Sequence, residues 1–264
     1  MKLQKPPALL LDLDGTLYVG SRMLDSTAEF LEFLRTQKIP HLFLTNNSSR
    51  SAREYYEKLR NKGIVLEESQ VLTSGDATIS YLQKHTDYQK IYLMGTPSLE
   101  DDFQRAGFKL TADDPQCLVL GYDTQITYQK LETASRFLYA GLPYMATHPD
   151  LTCITETGLI PDTGFFIAGF RLMTGRTPLI LGKPSSNMLE AALERMQIEF
   201  SSKILMVGDQ LDTDIKLGVD NGITSALMLS GETSLAQVEE YPLSPHFIHE
   251  HNGKLLEDLQ KLYS

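Results

Sequence analysis

The stretch Leu9-Leu10-Leu11-Asp12-Leu13-Asp14-Gly15-Thr16-Leu17-Tyr18-Val19-Gly20 runs from an unbroken apolar segment into two aspartates and a glycine turn. An apolar run of this length, apolar at every position, predicts a strand buried on both faces, as in a parallel sheet. On a strand, residues i and i+2 share a face, so Asp12 and Asp14 are expected side by side. Two carboxylates so placed repel, and a hard divalent cation removes the conflict, because Mg²⁺ takes oxygen ligands from one or two carboxylates. The competing account is structural: Asp12 ends the strand, and Asp14 caps a turn closed by Gly15.

The rest of the chain follows the same grammar. The segment Ser26–Lys38 carries a helical apolar stripe of Phe30, Leu31, Phe33 and Leu34, opened by a Ser26/Glu29 capping box. His41–Asn47 predicts a second strand, and Ser51–Gly63 a helix with its own Ser51/Glu54 box and a glycine stop. Strands at 90–95, 117–123, 142–150, 178–184, 203–209, 223–229 and 246–249 alternate with helical segments. Such alternation predicts an α/β fold: a Rossmann-like core with a parallel sheet and helices on both faces. A smaller α/β domain at about residues 78–177 is expected to be inserted into a discontinuous core of residues 1–77 and 178–264.

The 264 residues are 42% hydrophobic and 22% charged, the composition of a soluble globular protein. A net charge of −10 disfavours nucleic acid and anionic membranes as partners, and requires local positive charge for any anionic substrate. No apolar segment is long enough to span a bilayer. Cys117 and Cys153 are too few for a disulfide framework or zinc cluster; Cys117 is expected in a core strand and Cys153 in a loop. A reducing, cytoplasmic location is the expectation. The histidines of His246–Asn252 lack the acids or cysteines that would make a metal site.

Ligands of open parallel sheets bind beyond the carboxyl ends of the strands. Four predicted strands end there in unusual chemistry: Asp12-Leu13-Asp14-Gly15-Thr16, Thr45-Asn46-Asn47, Gly182-Lys183-Pro184, and Gly208-Asp209 followed by Asp212, Thr213 and Asp214. Asp209 closes a buried strand and demands a partner. Asp212 and Asp214 are placed either as helix caps or as further acids of the site. Thr45 and Asn46 offer a hydroxyl, an amide and backbone N–H groups suited to phosphate oxygens, and Lys183 is a cation fixed at a strand end.

The order of these four motifs resembles that of the haloacid dehalogenase (HAD) superfamily. The position of the insertion, together with Thr45–Arg50, Thr73–Thr78, Gly121–Asp123, Ala146–Asp150, Pro161–Gly164 and Thr174–Pro184, is similar to NagD-like and 4-nitrophenylphosphatase-like enzymes. That resemblance implies a Mg²⁺-dependent phosphatase. Asp12 would be the nucleophile that becomes an aspartyl-phosphate, and Asp14 the acid and then the base. The metal would be held by Asp12, the Asp14 main-chain carbonyl and Asp209, with Asp214 supporting. Thr45, Asn46 and Lys183 would hold the phosphoryl group. The insertion would be a cap that reads the leaving group, with His148, Asp150 and Asp162 facing a small phosphorylated metabolite, and with two copies pairing through it. A phosphate-responsive Mg²⁺-binding signalling module and a phosphoryl-transferring mutase are the alternatives; an acid at position 14 and an inserted domain argue against the first.

Overall fold

A computed structural model describes residues 3–155 and 158–263. Contacts divide the chain into two compact units, residues 1–45, 56–72 and 192–264 forming the first and 46–55 with 73–191 the second.

The first unit is built on a six-stranded sheet in the order Phe247–His249, Thr224–Met228, Leu205–Gly208, Leu9–Asp12, His41–Thr45, Val71–Thr73. Leu9–Asp12 lies at its centre, parallel to both neighbours, with Leu9 opposite Leu205 and His41 and with Asp12 opposite Leu44. All four of its residues are buried, as a strand covered on both faces requires. Phe30, Leu31 and Leu34 of helix Thr27–Thr36 and Leu255 and Leu259 of helix Asn252–Tyr263 are buried in this unit. Truncating any of Leu9, Leu10 or Leu11 to alanine would cost about 2–5 kcal/mol.

Local signals were honoured unevenly. The Ser51/Glu54 box forms: Ser51 N–H donates to Glu54 Oε2 at 2.8 Å, and Glu54 N–H to Ser51 Oγ at 3.2 Å. The expected Ser26/Glu29 box does not. Ser26 sits at φ 61, in the left-handed region, and its side chain makes no cap bond. Gly63 ends its helix at φ 86, a value that favours glycine.

The second unit has a five-stranded sheet in the order Leu179–Ile180, Tyr144–Ala146, Cys117–Leu120, Lys90–Met94, Lys109–Leu110, with every adjacent pair parallel. Cys117 and Val119 pack into one apolar cluster with Phe103 and Leu99, while Leu118 and Leu120 pack into another with Leu138 and Phe170. Alternate residues therefore reach opposite, equally apolar faces, which accounts for the uninterrupted Cys-Leu-Val-Leu run. Burial pushes the Cys117 thiol up to about 12. Cys153, expected in a loop, lies in an antiparallel hairpin of Thr152–Thr155 and Gly158–Pro161. Leu179–Ile180, placed with the core by the sequence, pairs in this second sheet with Met145–Ala146. No helix among the described residues is long and apolar enough to cross a membrane.

Candidate active site

In the first unit the carboxyl ends of two neighbouring strands deliver Asp12 and Asp209. Asp12, Asp209 and Asp214 are buried, and each offers a carboxylate oxygen within 4.8 Å of the others. Three acids can converge here because the backbone gives them room. A Cβ on Gly15 or Gly231 would collide with the Asp209 carboxylate, and one on Gly208 with that of Asp214. Gly15 also turns the chain at φ 87. Asp209 is held by Thr16 Oγ1, donating to Oδ1 at 3.2 Å, and by the Glu232 N–H, donating to Oδ2 at 2.8 Å.

Asp214 reaches this cluster through a wide helical turn over Leu211–Ile215. The N–H groups of Asp214 and Ile215 both donate to the Gln210 carbonyl at 3.1 Å, while Asp214 Oδ2 accepts from Gln210 N–H at 3.1 Å. Such π-type turns recur at functional sites. The same carboxylate thus acts as a cap and as the third acid of the cluster. Asp212 takes the other course, accepting from the Tyr241 hydroxyl at 2.6 Å.

Asp14 does not join the cluster. Its side chain is 54% exposed, with Oδ2 accepting from the Tyr18 hydroxyl at 3.0 Å and Oδ1 lying 3.8 Å from Lys58 Nζ. The expectation that Asp12 and Asp14 lie side by side fails because the strand stops at Asp12, and strand alternation does not extend into the turn. The two acids are thereby differentiated: one is buried among acids, the other is open and held by a hydroxyl.

A hard divalent cation fits this donor set. Three buried carboxylates with oxygen atoms converging on one point, and no nitrogen or sulfur ligand among them, match the preference of Mg²⁺ for oxygen. Among the described residues this is the group of three or more acid, histidine or cysteine side chains with metal-ligand spacing. Near the C-terminus, His249 Nε2 lies 3.3 Å from Asp258 Oδ2.

In the second unit, Lys183 is buried beyond the Leu179–Ile180 strand. Its main chain pairs with the Asn46 amide: Lys183 N–H donates to Asn46 Oδ1 at 2.8 Å, and Asn46 Nδ2 donates to the Lys183 carbonyl at 3.0 Å. Asn46 Nδ2 also reaches Asp150, at 3.2 and 3.3 Å from its two oxygens. Asn46, expected to grip phosphate with its amide, therefore uses that amide to seat Lys183. Gly182 allows the approach, since a Cβ there would lie 2.7 Å from Asn46 Oδ1 and 2.8 Å from Ser74 Cβ. Thr45 is buried at the end of its strand, and Asn47 closes a turn by accepting from Ser49 N–H at 3.0 Å.

His148 and Asp162, expected to face substrate, are instead enclosed. His148 has no exposed surface, and Asp162 caps helix Thr163–Thr174. Asp150 is only partly exposed, and burial pushes its carboxyl above the usual range. Three supporting residues escaped the sequence reading. Ser74 donates to the Asn46 carbonyl, Ser230 donates to the Gly15 carbonyl at 3.1 Å, and Asn252 donates to the Thr16 carbonyl at 2.8 Å. Each contact joins residues far apart in sequence, so no local spacing announces it.

Comparison with known proteins decides the family. A haloacid dehalogenase-like hydrolase model matches residues 9–109, and a HAD-hydrolase-like model matches residues 180–255. An acid sugar phosphatase of Staphylococcus saprophyticus is 32% identical over 96% of this chain and 98% of its own. The chain belongs to the haloacid dehalogenase-like hydrolases. Its structure resembles a 4-nitrophenylphosphatase from Thermotoga maritima, with TM-score 0.92 and 38% identity over 97% of this chain and 98% of that one. It also resembles NagD from E. coli K-12, with TM-score 0.86 and 29% identity over 96% and 98%. A glycerol phosphate phosphatase from Mycobacterium tuberculosis, solved in complex with magnesium, gives TM-score 0.89 and 29% identity over 98% of this chain and 78% of that one. Within the family this HAD hydrolase sits among the NagD and 4-nitrophenylphosphatase members, and it is a phosphoric monoester hydrolase.

Proposed function

We propose that this hydrolase is a Mg²⁺-dependent phosphatase of small phosphomonoesters, sugar phosphates or nucleoside monophosphates, working through an aspartyl-phosphate on Asp12. The observation that carries this reading is the different placement of two acids only two residues apart. Asp12 is buried with Asp209 and Asp214, whereas Asp14 is half exposed and bonded to Tyr18. A buried carboxylate in a cluster that can hold a cation suits a nucleophile, and an accessible one suits a proton carrier.

In this mechanism an Asp12 oxygen attacks phosphorus as the bond to the leaving oxygen breaks, and Asp14 gives its proton to that oxygen. Asp14, now a carboxylate, takes a proton from the water that attacks the acyl-phosphate, which frees phosphate and restores Asp12. Asp209 and Asp214, with Asp12, would hold Mg²⁺, which neutralises the converging carboxylates and the phosphoryl charge. Thr45 presents its hydroxyl to phosphate oxygens. Lys183, seated by Asn46, supplies a fixed positive charge for an anionic substrate, which the net charge of −10 would otherwise repel. The names of the relatives, an acid sugar phosphatase and a 4-nitrophenylphosphatase among them, support a small phosphomonoester.

Two further readings go with this one. The enzyme works in the cytoplasm, where its two thiols stay reduced. Two copies pair through the second unit, an inference supported by Phe165, Leu172 and Met173, which are exposed at near-helical spacing on Thr163–Thr174; a monomeric mass at micromolar concentration in light scattering removes it.

The deciding assay is phosphate release from 4-nitrophenyl phosphate and a panel of sugar phosphates and nucleotides, with Mg²⁺ and with EDTA. Hydrolysis should require the metal, and Asp12→Asn should lower turnover by about three orders of magnitude or more with the fold intact. No release from any substrate would sink the phosphatase reading. An active Asp12→Asn would sink the nucleophile assignment alone.

A further inference from the structure

Beyond the strand Tyr144–Ala146 lies a buried pair that the mechanism above does not use. His148 Nε2 is 2.9 Å from Asp162 Oδ1; its Nδ1 is 2.9 Å from Thr147 Oγ1 and 3.4 Å from Ser74 Oγ. Asp162 is fixed in turn by the helix it caps, accepting from Thr163 N–H at 2.5 Å and from Thr163 Oγ1 at 3.1 Å. Gly164 lets the helix end approach this closely: its N–H donates to the Asp150 carbonyl at 2.8 Å, where a Cβ would collide with the main chain of Pro149 and Asp150.

Hydrogen counting fixes one nitrogen of the ring. A carboxylate only accepts, so Nε2 carries a hydrogen. The Ser74 hydroxyl directs its own hydrogen to the Asn46 carbonyl and so presents lone pairs to Nδ1. A bare Nδ1 would accept from the Thr147 hydroxyl, which Ser48 Oγ can supply in turn, and would leave Ser74 facing it lone pair to lone pair; a hydrogen on Nδ1 satisfies Ser74 and Thr147 together. The buried Asp162 carboxylate at 2.9 Å favours this second state, an imidazolium.

The charged and titratable groups around the ring are Asp162, Asp150, Lys183 and, edge-on at 6.4 Å between centroids, Tyr122. Burial alone would lower the affinity of the ring for its second proton. The charge and hydrogen bond of Asp162, with the charge of Asp150, outweigh burial and Lys183 and hold the imidazolium above the usual histidine range.

We propose that His148 and Asp162 are positioning residues for the phosphate-binding lysine, an ion pair that holds Ser74 against the Asn46 main chain and offsets the charge of Asp150 so that Asn46 seats Lys183. This rests on the phosphatase reading. Neither residue touches substrate. When the ring loses its second proton, Asp162 and Asp150 lose their compensating charge, and Asp150, which feels the charge of Lys183, competes with the substrate anion for it. Substrate binding weakens while the bond-breaking groups, Asp12 and Asp14, are unchanged. The imidazolium is the seating state, so its contribution is complete at low pH and lost as pH rises through the His148 titration.

Two measurements test this. The first is KM and kcat for 4-nitrophenyl phosphate with saturating Mg²⁺ from pH 6 to pH 9. In the wild type KM should rise by about tenfold across the His148 titration, the scale on which one unit charge acts at short range in a protein interior, with kcat changing much less. His148→Gln should show the raised KM throughout and no step. The second needs no turnover and leaves His148 in place: the ring nitrogens of His148 in the wild type, followed by NMR and assigned by replacing the other five histidines singly, should titrate above pH 6.5. A flat wild-type KM, a His148→Gln that keeps the step, or a His148 already neutral at pH 6 would each overturn the proposal. Absence of turnover in the wild type would instead overturn the phosphatase reading, with the NMR titration still deciding the ion pair.

Discussion

Replacing Gly231 with alanine would put a methyl group where the Asp209 carboxylate now lies. The added carbon would collide with Asp209 Oδ2 and Cγ and stand 2.5 Å from its Cβ. The main chain of Gly15 packs close to the same carboxylate, since a Cβ built there would collide with it too, so the side chain has little room to retreat. It would swing off donors that include Thr16 Oγ1 at 3.2 Å and the Glu232 N–H at 2.8 Å. Overpacking costs about 1–3 kcal/mol, and losing a hydrogen bond to a charged group about 1.5–3 kcal/mol, so a loss of about 3–5 kcal/mol in stability is expected. Function should suffer separately: displacing one metal-site carboxylate by about 1 Å is expected to lower activity about a hundredfold. Gly63→Ala is the control. Gly63 has φ 86 and nothing within 4 Å of an added Cβ, so it adds backbone strain of about 1–2 kcal/mol without crowding. Urea midpoints and Mg²⁺ titrations, by calorimetry and by turnover, are compared for both variants. Gly231→Ala should lose Mg²⁺ affinity and turnover, and Gly63→Ala should lose only stability. Gly231→Ala with Mg²⁺ affinity within about twofold of wild type would show that the carboxylate is not confined as argued, since the crowding on it is then worth less than about 0.4 kcal/mol.

Tyr18→Phe removes the donor that orients Asp14; turnover of alkyl phosphates should fall about tenfold, the worth of one such hydrogen bond, and that of 4-nitrophenyl phosphate, whose leaving group needs little protonation, much less. Equal losses on both substrates would contradict a proton-delivery role for Asp14. Asp102, half-buried on helix Pro97–Arg105, has its carboxyl raised to about 6, first by burial and then by Asp76, with Arg105 opposing. The folded chain therefore binds that proton more tightly than the unfolded chain, and the stability it lends is present below about pH 4 and lost as pH rises to about 6. Asp102→Asn should raise the urea midpoint at pH 7.5 and progressively less toward pH 5; a shift independent of pH would refute this.

What the sequence disclosed is what depends on chain order alone. Asp12 and Asp209 were legible because each ends an apolar run, and parallel sheets present such ends on one edge. The π turn that delivers Asp214 has no residue signature, so this acid was divided between a cap and a supporting role, and it serves both as cap and as cluster acid. The exposure of Asp14 was hidden because alternation was extended two residues past the strand. Ser26 and Glu29 have the right spacing for a box, but the chain enters that helix with Ser26 in the left-handed region, a demand set elsewhere in the fold. Asn46 and Lys183 are 137 positions apart, and His148 and Asp162 lie 14 apart with a hairpin between them. Those pairings depend on tertiary packing, and residue type alone could not distinguish a side chain that meets substrate from one that holds its neighbour.

The widened turn at Leu211–Ile215 makes chain length a component of this chemistry. Deleting one residue there would let the helix close into regular α geometry and rotate everything beyond it by about 100°. Asp214 would keep its identity and its burial-friendly neighbours yet point elsewhere. The interval between Asp209 and Asp214 is therefore as constrained as the acids themselves, and a homologue with both aspartates but one residue fewer between them would be expected to have lost the third arm of its cation grip.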